Sequence, residues 1–394
     1  MAVYTENFLT PSMTFVHRQV VAMPVSVQSV VLARMRSNPV LFPFEPVHVF
    51  PRTMPERVSN LVFRKIGIRH ASLGSASRRR VVSVMARHRV NVVHAHFGWS
   101  GIEVLPAARE LGIPLVVTFH GIDASALLGD RGYLRQLREL FAYATVLTVS
   151  DAMRARLLEH GADPDHTETM HIGVPLDIFR FHERQPMRNK LRNGEEVVFI
   201  QVANFVEKKG HETTLRAFAS LRVRYPAARL ELIGSGPLKE RTQQLSRELG
   251  LGESVRFVSH LSTPEVVERL NGADCFLHHS VTADDGDQEG IPTAIMEAMA
   301  TGLPVVSTLH GGIPELVTAG GILVKERDVR GYGSALEAVL ADGGDLGRAG
   351  RRVVEESFSL SSQCASLESL YRDASRRLQS EAPLAASITP EVTD

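Results

Sequence analysis

Short apolar runs alternate with longer amphipathic segments along this chain, the pattern of an α/β protein with mainly parallel strands. In the first half the runs predict strands at Val27–Leu32, Val90–His94, Leu115–Phe119 and Thr145–Val149. Helical spacing lies between them, including Ser75–Arg89, Ile102–Leu111 and Asp151–His160, the last capped by Ser150 or Asp151. The periodicity fails over Phe181–Gly194, a polar segment with Pro186 that reads as a linker. Alternation then restarts. Strands are expected at Val197–Val202, Arg229–Ile233, Val255–Val258, Asp274–Leu277 and Pro304–Ser307. Helices are expected at His211–Arg224, Pro237–Leu249, Pro264–Leu270, Ile291–Ala300, Val329–Leu340 and Phe358–Arg376.

The expected division is a first domain over 1–180, a linker over 181–194 and a second domain over 195–357. A C-terminal helix over 358–378 and a polar tail over 379–394 follow; the tail is expected to be disordered. The length of 394 residues agrees with two domains. Two parallel sheets facing each other would line a cleft with their strand-to-helix loops, where such sheets bind ligands.

Composition narrows the class. The two cysteines, Cys275 and Cys364, make neither a disulfide framework nor a zinc motif, which fits a reducing compartment. No run approaches the ~20 apolar residues of a bilayer span. Met1–Thr10 lacks the basic start and apolar core of a signal peptide, so a cytoplasmic location is expected.

Net charge is zero but unevenly spread. Between Arg52 and Arg89 there are ten basic residues and one acid, Glu56. Leu61, Val62, Phe63, Ile66 and Ile68 interleave with them, as in a segment lying on an anionic membrane surface. Each basic residue there would contribute about 1 kcal/mol. The same residues also fit a solvated basic helix. No aromatic stacking platform accompanies them, so no nucleic-acid partner is expected.

Candidate chemistry falls on the loops. In EGIPTAIMEAMATGLPVVST, Glu289 and Glu297 are eight residues apart, slightly over two helical turns. That spacing predicts two carboxylates on one face, suited to sugar hydroxyls. It equally fits a solvent-facing helix with two glutamates. The helix start near Gly290, Ile291 and Thr293 offers amides to a phosphate, and Pro292 removes one donor. In IGSGPL, Gly234 and Gly236 let the backbone approach a diphosphate, or form a simple tight turn. In VANFVEKKG, Lys208 and Lys209 could neutralise a departing phosphate, or be solvated. His94, His96 and His120 fall near strand ends; no flanking acid has metal-ligand spacing, and His120 reads better as a group near the reacting centre.

EGIPTAIMEAMATGLPVVST followed by HGGIPEL resembles the EX7E region of glycosyltransferase family 4. VEKKG, IGSGPL and TFHGID occur in the same order, and PSMTFVHRQ is similar to the SETF-type loop of the branch building exopolysaccharides such as colanic acid and amylovoran. The likeness spans about residues 4–375.

It implies a GT-B fold, two facing Rossmann-like domains with an interdomain cleft and a C-terminal helix crossing back. It implies a retaining, metal-independent hexosyltransferase using a UDP-sugar or GDP-sugar as co-substrate, with no bound cofactor. A lipid-linked saccharide on the inner face of the membrane would be the acceptor. Glu289 would contact donor-sugar hydroxyls, Glu297 the ribose and Lys209 the diphosphate. Gly234 and Gly236 would line the nucleotide pocket, with Asn204, Lys208, Gly290, Ile291 and Thr293 on the donor side. His120 would lie near the reacting carbon, and Ser12, Thr14 and His96 on the acceptor side.

One departure stands out: Asn204 occupies the position where the family usually has arginine. It leaves one cation at the leaving phosphate unless Lys208 or an arginine elsewhere substitutes. A nucleotide-sugar epimerase of the same architecture and a binding protein without turnover are the competing readings.

Overall fold

The computed structural model describes residues 1–10, 13–58, 72–342 and 344–381, with side chains described as far as Arg376. Two all-parallel sheets form the framework. The first holds β1 (Ala2–Phe8), β2 (Val30–Arg36), β3 (Val47–Val49), β4 (Val93–His96), β5 (Leu115–Phe119), β6 (Thr145–Thr148) and β7 (Thr167–Thr169), in the order β3-β2-β1-β4-β5-β6-β7. The second holds β8 (Val197–Val202), β9 (Ala228–Ile233), β10 (Val255–Val258), β11 (Cys275–His278), β12 (Val305–Thr308) and β13 (Gly321–Val324), in the order β10-β9-β8-β11-β12-β13.

Helices cover both faces, so the central strands are buried on both sides. Each sheet reverses direction at one point. Ala2 of β1 pairs with Val30 on one side and Val93 on the other, and Phe199 of β8 pairs with Leu230 and Cys275. Such reversal points open a crevice at the strands' carboxyl ends. The family fold inferred from the motifs is therefore present.

In three first-domain strands, polar residues within the strand cause the departure from the sequence reading. Strand β2 runs past the expected end at Leu32 because Arg34, 3% exposed, is neutralised inside the fold. Its Nε donates to Glu103 at 2.9 Å, and its Nη2 donates to Glu56 at 3.2 Å. Strand β4 likewise continues through His94 and His96. Strand β1 carries Glu6 and Asn7, which hid it from an apolar-run search.

The expected helix from Phe358 begins at Leu360 instead and follows a separate helix, Asp345–Ser357. At the break, Val174 N donates to Phe358 O and Leu360 N donates to Val174 O. The chain thereby returns to the first domain. There Leu367 and Tyr371 are buried with Val3, Val16, Val20 and Val31. The Tyr371 hydroxyl lies 2.5 Å from His94 Nδ1. The segment read as a linker contains a short helix, Met187–Arg192, and Arg184 ties it to the second domain through the carbonyls of Leu270 and Ala273.

Among the described residues no helix is long and apolar enough to cross a membrane. The interleaved hydrophobic residues Leu61–Ile68 lie outside the described residues, as do Ser12 and the tail beyond Glu381.

Candidate active site

A cleft of about 700 Å³ lies between the domains, walled by the carboxyl-end loops of the second sheet and the first-domain helix Thr14–Ala22. Thr14, Asn204, Lys209, Gly234, Thr293 and Glu297 all line it.

Lys209 follows β8 in a short turn before the helix His211–Arg224. Its backbone carbonyl accepts a 2.9 Å bond from Gln201 Nε2, and Gln201 Oε1 accepts from Thr214. A buried glutamine in an apolar strand thus fixes where the lysine emerges. The ammonium lies 2.6 Å from Glu289 Oε1, and Lys208 lies 2.8 Å from Asp287. Burial by itself would raise the Glu289 pKa, but Lys209 and Lys208 overcome it and hold the carboxyl at about 2. Burial pulls the Lys208 ammonium down, and Glu289 and Asp287 more than restore it.

Glu289 and Glu297 do not share a helical face. The helix runs only over Thr293–Ala300, because Pro292 is extended at φ −66°, ψ 116°. Glu289 therefore sits in the preceding loop and faces Lys209, while Glu297 faces Arg18 of the first domain. His310 holds that loop. Its Nε2 accepts the Glu289 amide at 3.0 Å, and its Nδ1 lies 2.6 Å from Glu326. An acceptor at Nε2 places the ring proton at Nδ1, pointing to Glu326.

The loop presses on the first domain. A methyl group on Gly290 would stand 2.5 Å from the His120 carbonyl oxygen, so only glycine allows this approach. Glu315 accepts the amides of Asp151 and Ala152 at 2.7 and 2.9 Å, satisfying helix-start donors across the domain boundary. The cap on that helix from its own chain end is Ser150, whose Oγ accepts from Met153.

His120 stands beside the cleft rather than on its lining. Its Nε2 lies 3.1 Å from His96 Nδ1, its Nδ1 is buried without a hydrogen-bond partner, and Phe15 and Phe97 flank the ring at 4.7 Å. Burial, and then His96, push its pKa well below 6.5, so the ring is neutral at physiological pH. Asp123 anchors the loop by accepting the amides of His120, Gly121 and Gly98. His96 and Ile291 are buried behind the surface. Gly234, at φ +150°, has the Ala203 carbonyl 2.1 Å from its missing Cβ, and Gly236 packs on Phe205. Among the described residues no cluster of three or more His, Cys, Asp or Glu has metal-holding geometry.

Residues 28–178 match the family described as "Glycosyltransferase Family 4", and residues 183–353 match "Glycosyl transferases group 1". WcaL of Salmonella typhimurium, named for colanic acid biosynthesis, is 36% identical over 68% of this chain and 66% of its own length. AmsK of Erwinia amylovora, named an amylovoran biosynthesis glycosyltransferase, is 33% identical over 62% of this chain and 59% of its own.

The chain belongs to glycosyltransferase family 4. It spans a little under two thirds of WcaL and AmsK in these matches. The structure of Anabaena HepE in complex with UDP-glucose superposes with a TM-score of 0.73 at 19% identity, over 94% of this chain and 100% of that one. That likeness concerns the fold.

Three residues of this family 4 site escaped the sequence reading. Arg18 and His278 line the cleft, and Gln201 sits beneath Lys209. His278 is fully buried, with Nδ1 on Ser280 and Nε2 unpartnered. The only forewarning of His278 and Gln201 was a polar residue inside an apolar strand. Arg18 lies within PSMTFVHRQ, but nothing there announced its role, because its partner is 279 positions away.

Proposed function

We propose that this protein is a retaining, metal-independent hexosyltransferase of polysaccharide biosynthesis, moving sugar from a nucleoside-diphosphate donor to a lipid-linked saccharide. The observation that carries the reading is the Lys209–Glu289 pair at 2.6 Å, with Lys209 at the wall of a cleft that also holds Glu297, Gly234 and Thr293 and Glu289 buried behind it. HepE, with the same fold, is described in complex with UDP-glucose, and WcaL and AmsK are named for exopolysaccharides.

In this reading Glu297 grips the ribose and Glu289 the sugar hydroxyls, each as an ionised acceptor. Lys209 and the amides near Thr293 meet the diphosphate. As the bond from the anomeric carbon to the phosphate oxygen breaks, negative charge grows on that oxygen and the lysine stabilises it. The acceptor oxygen bonds to the same carbon from the same face and passes its proton to the departing phosphate. No carboxylate base is required. His120, neutral, stands near the reacting region without adding a charge. Domain contacts at Gly290 and Glu315 exclude water that would hydrolyse the donor.

The basic first-domain surface would face the anionic inner leaflet of the membrane. Part of its charge is already committed, since Arg52 pairs with Glu6 and Arg78 with Glu110. Arg79, Arg80 and Arg87 remain around a groove with His48.

A thermal-shift panel of UDP- and GDP-sugars tests the donor. A ligand at 100 times its dissociation constant adds about 2.7 kcal/mol, so one base and sugar should raise Tm selectively. NMR of the product should show the donor's anomeric configuration. No shift with any donor contradicts the reading, and an inverted product contradicts retention. Conversion of the donor without an acceptor would identify an epimerase.

A further inference from the structure

Across the cleft from Lys209 stands a second cation. Arg18 follows Thr14 by one turn on the first-domain helix and lines the cavity with Lys209, Asn204, Gly234 and Glu297. Its Nη1 lies 2.5 Å from Glu297 Oε1, and its guanidinium packs 5.1 Å from the centre of the Phe179 ring. The side chains of both partners are nearly buried, 12% and 9% exposed. Among the described residues lining the cavity, Arg18 and Lys209 are the only lysine or arginine, and Glu297 is the only acid.

The charge balance of this cleft does not suit a diphosphate as it stands. Lys209 already faces Glu289 and Lys208 faces Asp287. A nucleoside diphosphate brings at least two negative charges into a partly dry site. Asn204, on the same wall, contributes an amide and no charge. When Glu297 turns to sugar hydroxyls of the nucleotide, Arg18 loses its counter-ion. A buried cation left so is strongly unfavourable unless another anion takes the place. A guanidinium is the side chain best matched to two phosphate oxygens at once, through its planar fork of N–H donors.

We infer that Arg18 is a ligand of the donor diphosphate supplied by the first domain, held on Glu297 until the nucleotide arrives. The inference rests on the donor reading above. Binding then exchanges one ion pair for another, so no charge is stranded in either state. It also makes the first domain a contributor to donor binding, not only to the acceptor.

Calorimetric titration of the full chain with UDP and with GDP tests this, using wild type, Arg18→Gln and Arg18→Lys. The nucleotide that binds wild type should bind Arg18→Gln at least tenfold more weakly. Arg18→Lys, which keeps the charge without the fork, should lose less. A loss below tenfold in Arg18→Gln, or an equal loss in both variants, overturns the inference and leaves the donor reading standing. Failure of wild type to bind either nucleotide removes both. If Arg18→Gln does not fold, Arg18→Met, which retains the stem over Phe179, is measured against the same thresholds.

Discussion

Glu289 remains charged inside the protein because Lys209 and Lys208 face it, and that has a consequence for acid stability. Its carboxyl titrates at about 2 in the fold, against ~4.3 in an unfolded chain. A depressed carboxylate stabilises the fold fully above the unfolded value, and the contribution is lost as pH falls toward the folded one. Between pH ~4.3 and ~2, the stability of wild type should therefore fall more steeply than that of Glu289→Gln. Parallel denaturation curves for the two proteins across that window would contradict this. Among single residues, those in contiguous motifs were legible in the sequence: Lys209 beside Gly210, Glu289 and Glu297 eight apart, Gly234 after a strand. Their contacts were not. The spacing argument put both glutamates on one face, but the extended Pro292 sends Glu289 to Lys209 and leaves Glu297 for Arg18. A partner on another domain leaves no local trace.

At the scale of elements, the helix Leu360–Glu381 belongs in sequence to the end of the second domain and in packing to the first. Leu367 is 1% exposed among first-domain side chains. Leu367→Ala should cost about 2–5 kcal/mol, the range for a buried leucine truncated to alanine. Urea denaturation followed by a first-domain probe such as Trp99 measures it, and a change under about 1 kcal/mol would show that the helix is not integral to that core. The same helix reaches the strand-end histidines, since Tyr371 bonds His94, whose ring lies 4.6 Å from that of His96. Strands that are mostly apolar with one polar residue, such as β5 with Thr118 and β8 with Gln201, were legible from pattern. Strands β1, β2 and β4 were not, or only in part, because each holds polar residues satisfied by distant partners. Arg34 with Glu56 and Glu103 is the clearest case. A period-based reading takes such residues for the end of a strand.

At the scale of the molecule, two sheets that share one strand order, the first with a further strand at its edge, place their reversal points across a common cleft. The sheet of the second domain contributes Asn204, Gly234 and His278 from three strand ends, the last leading into the Glu289 loop, and the first domain contributes Thr14 and Arg18. Alternation of strand and helix made this architecture readable, since repeated units of that kind admit few topologies. The cleft's charge arrangement was not readable, because it arises only when the domains meet. The central claim is that this arrangement transfers a sugar. The direct measurement is label transfer from the bound nucleotide sugar to a bacterial lipid extract, by wild type, Glu289→Gln and Lys209→Ala. The account predicts transfer by wild type and a loss in kcat of roughly 100-fold or more in each variant; wild-type rates in both variants, or no transfer by any of the three, would contradict it.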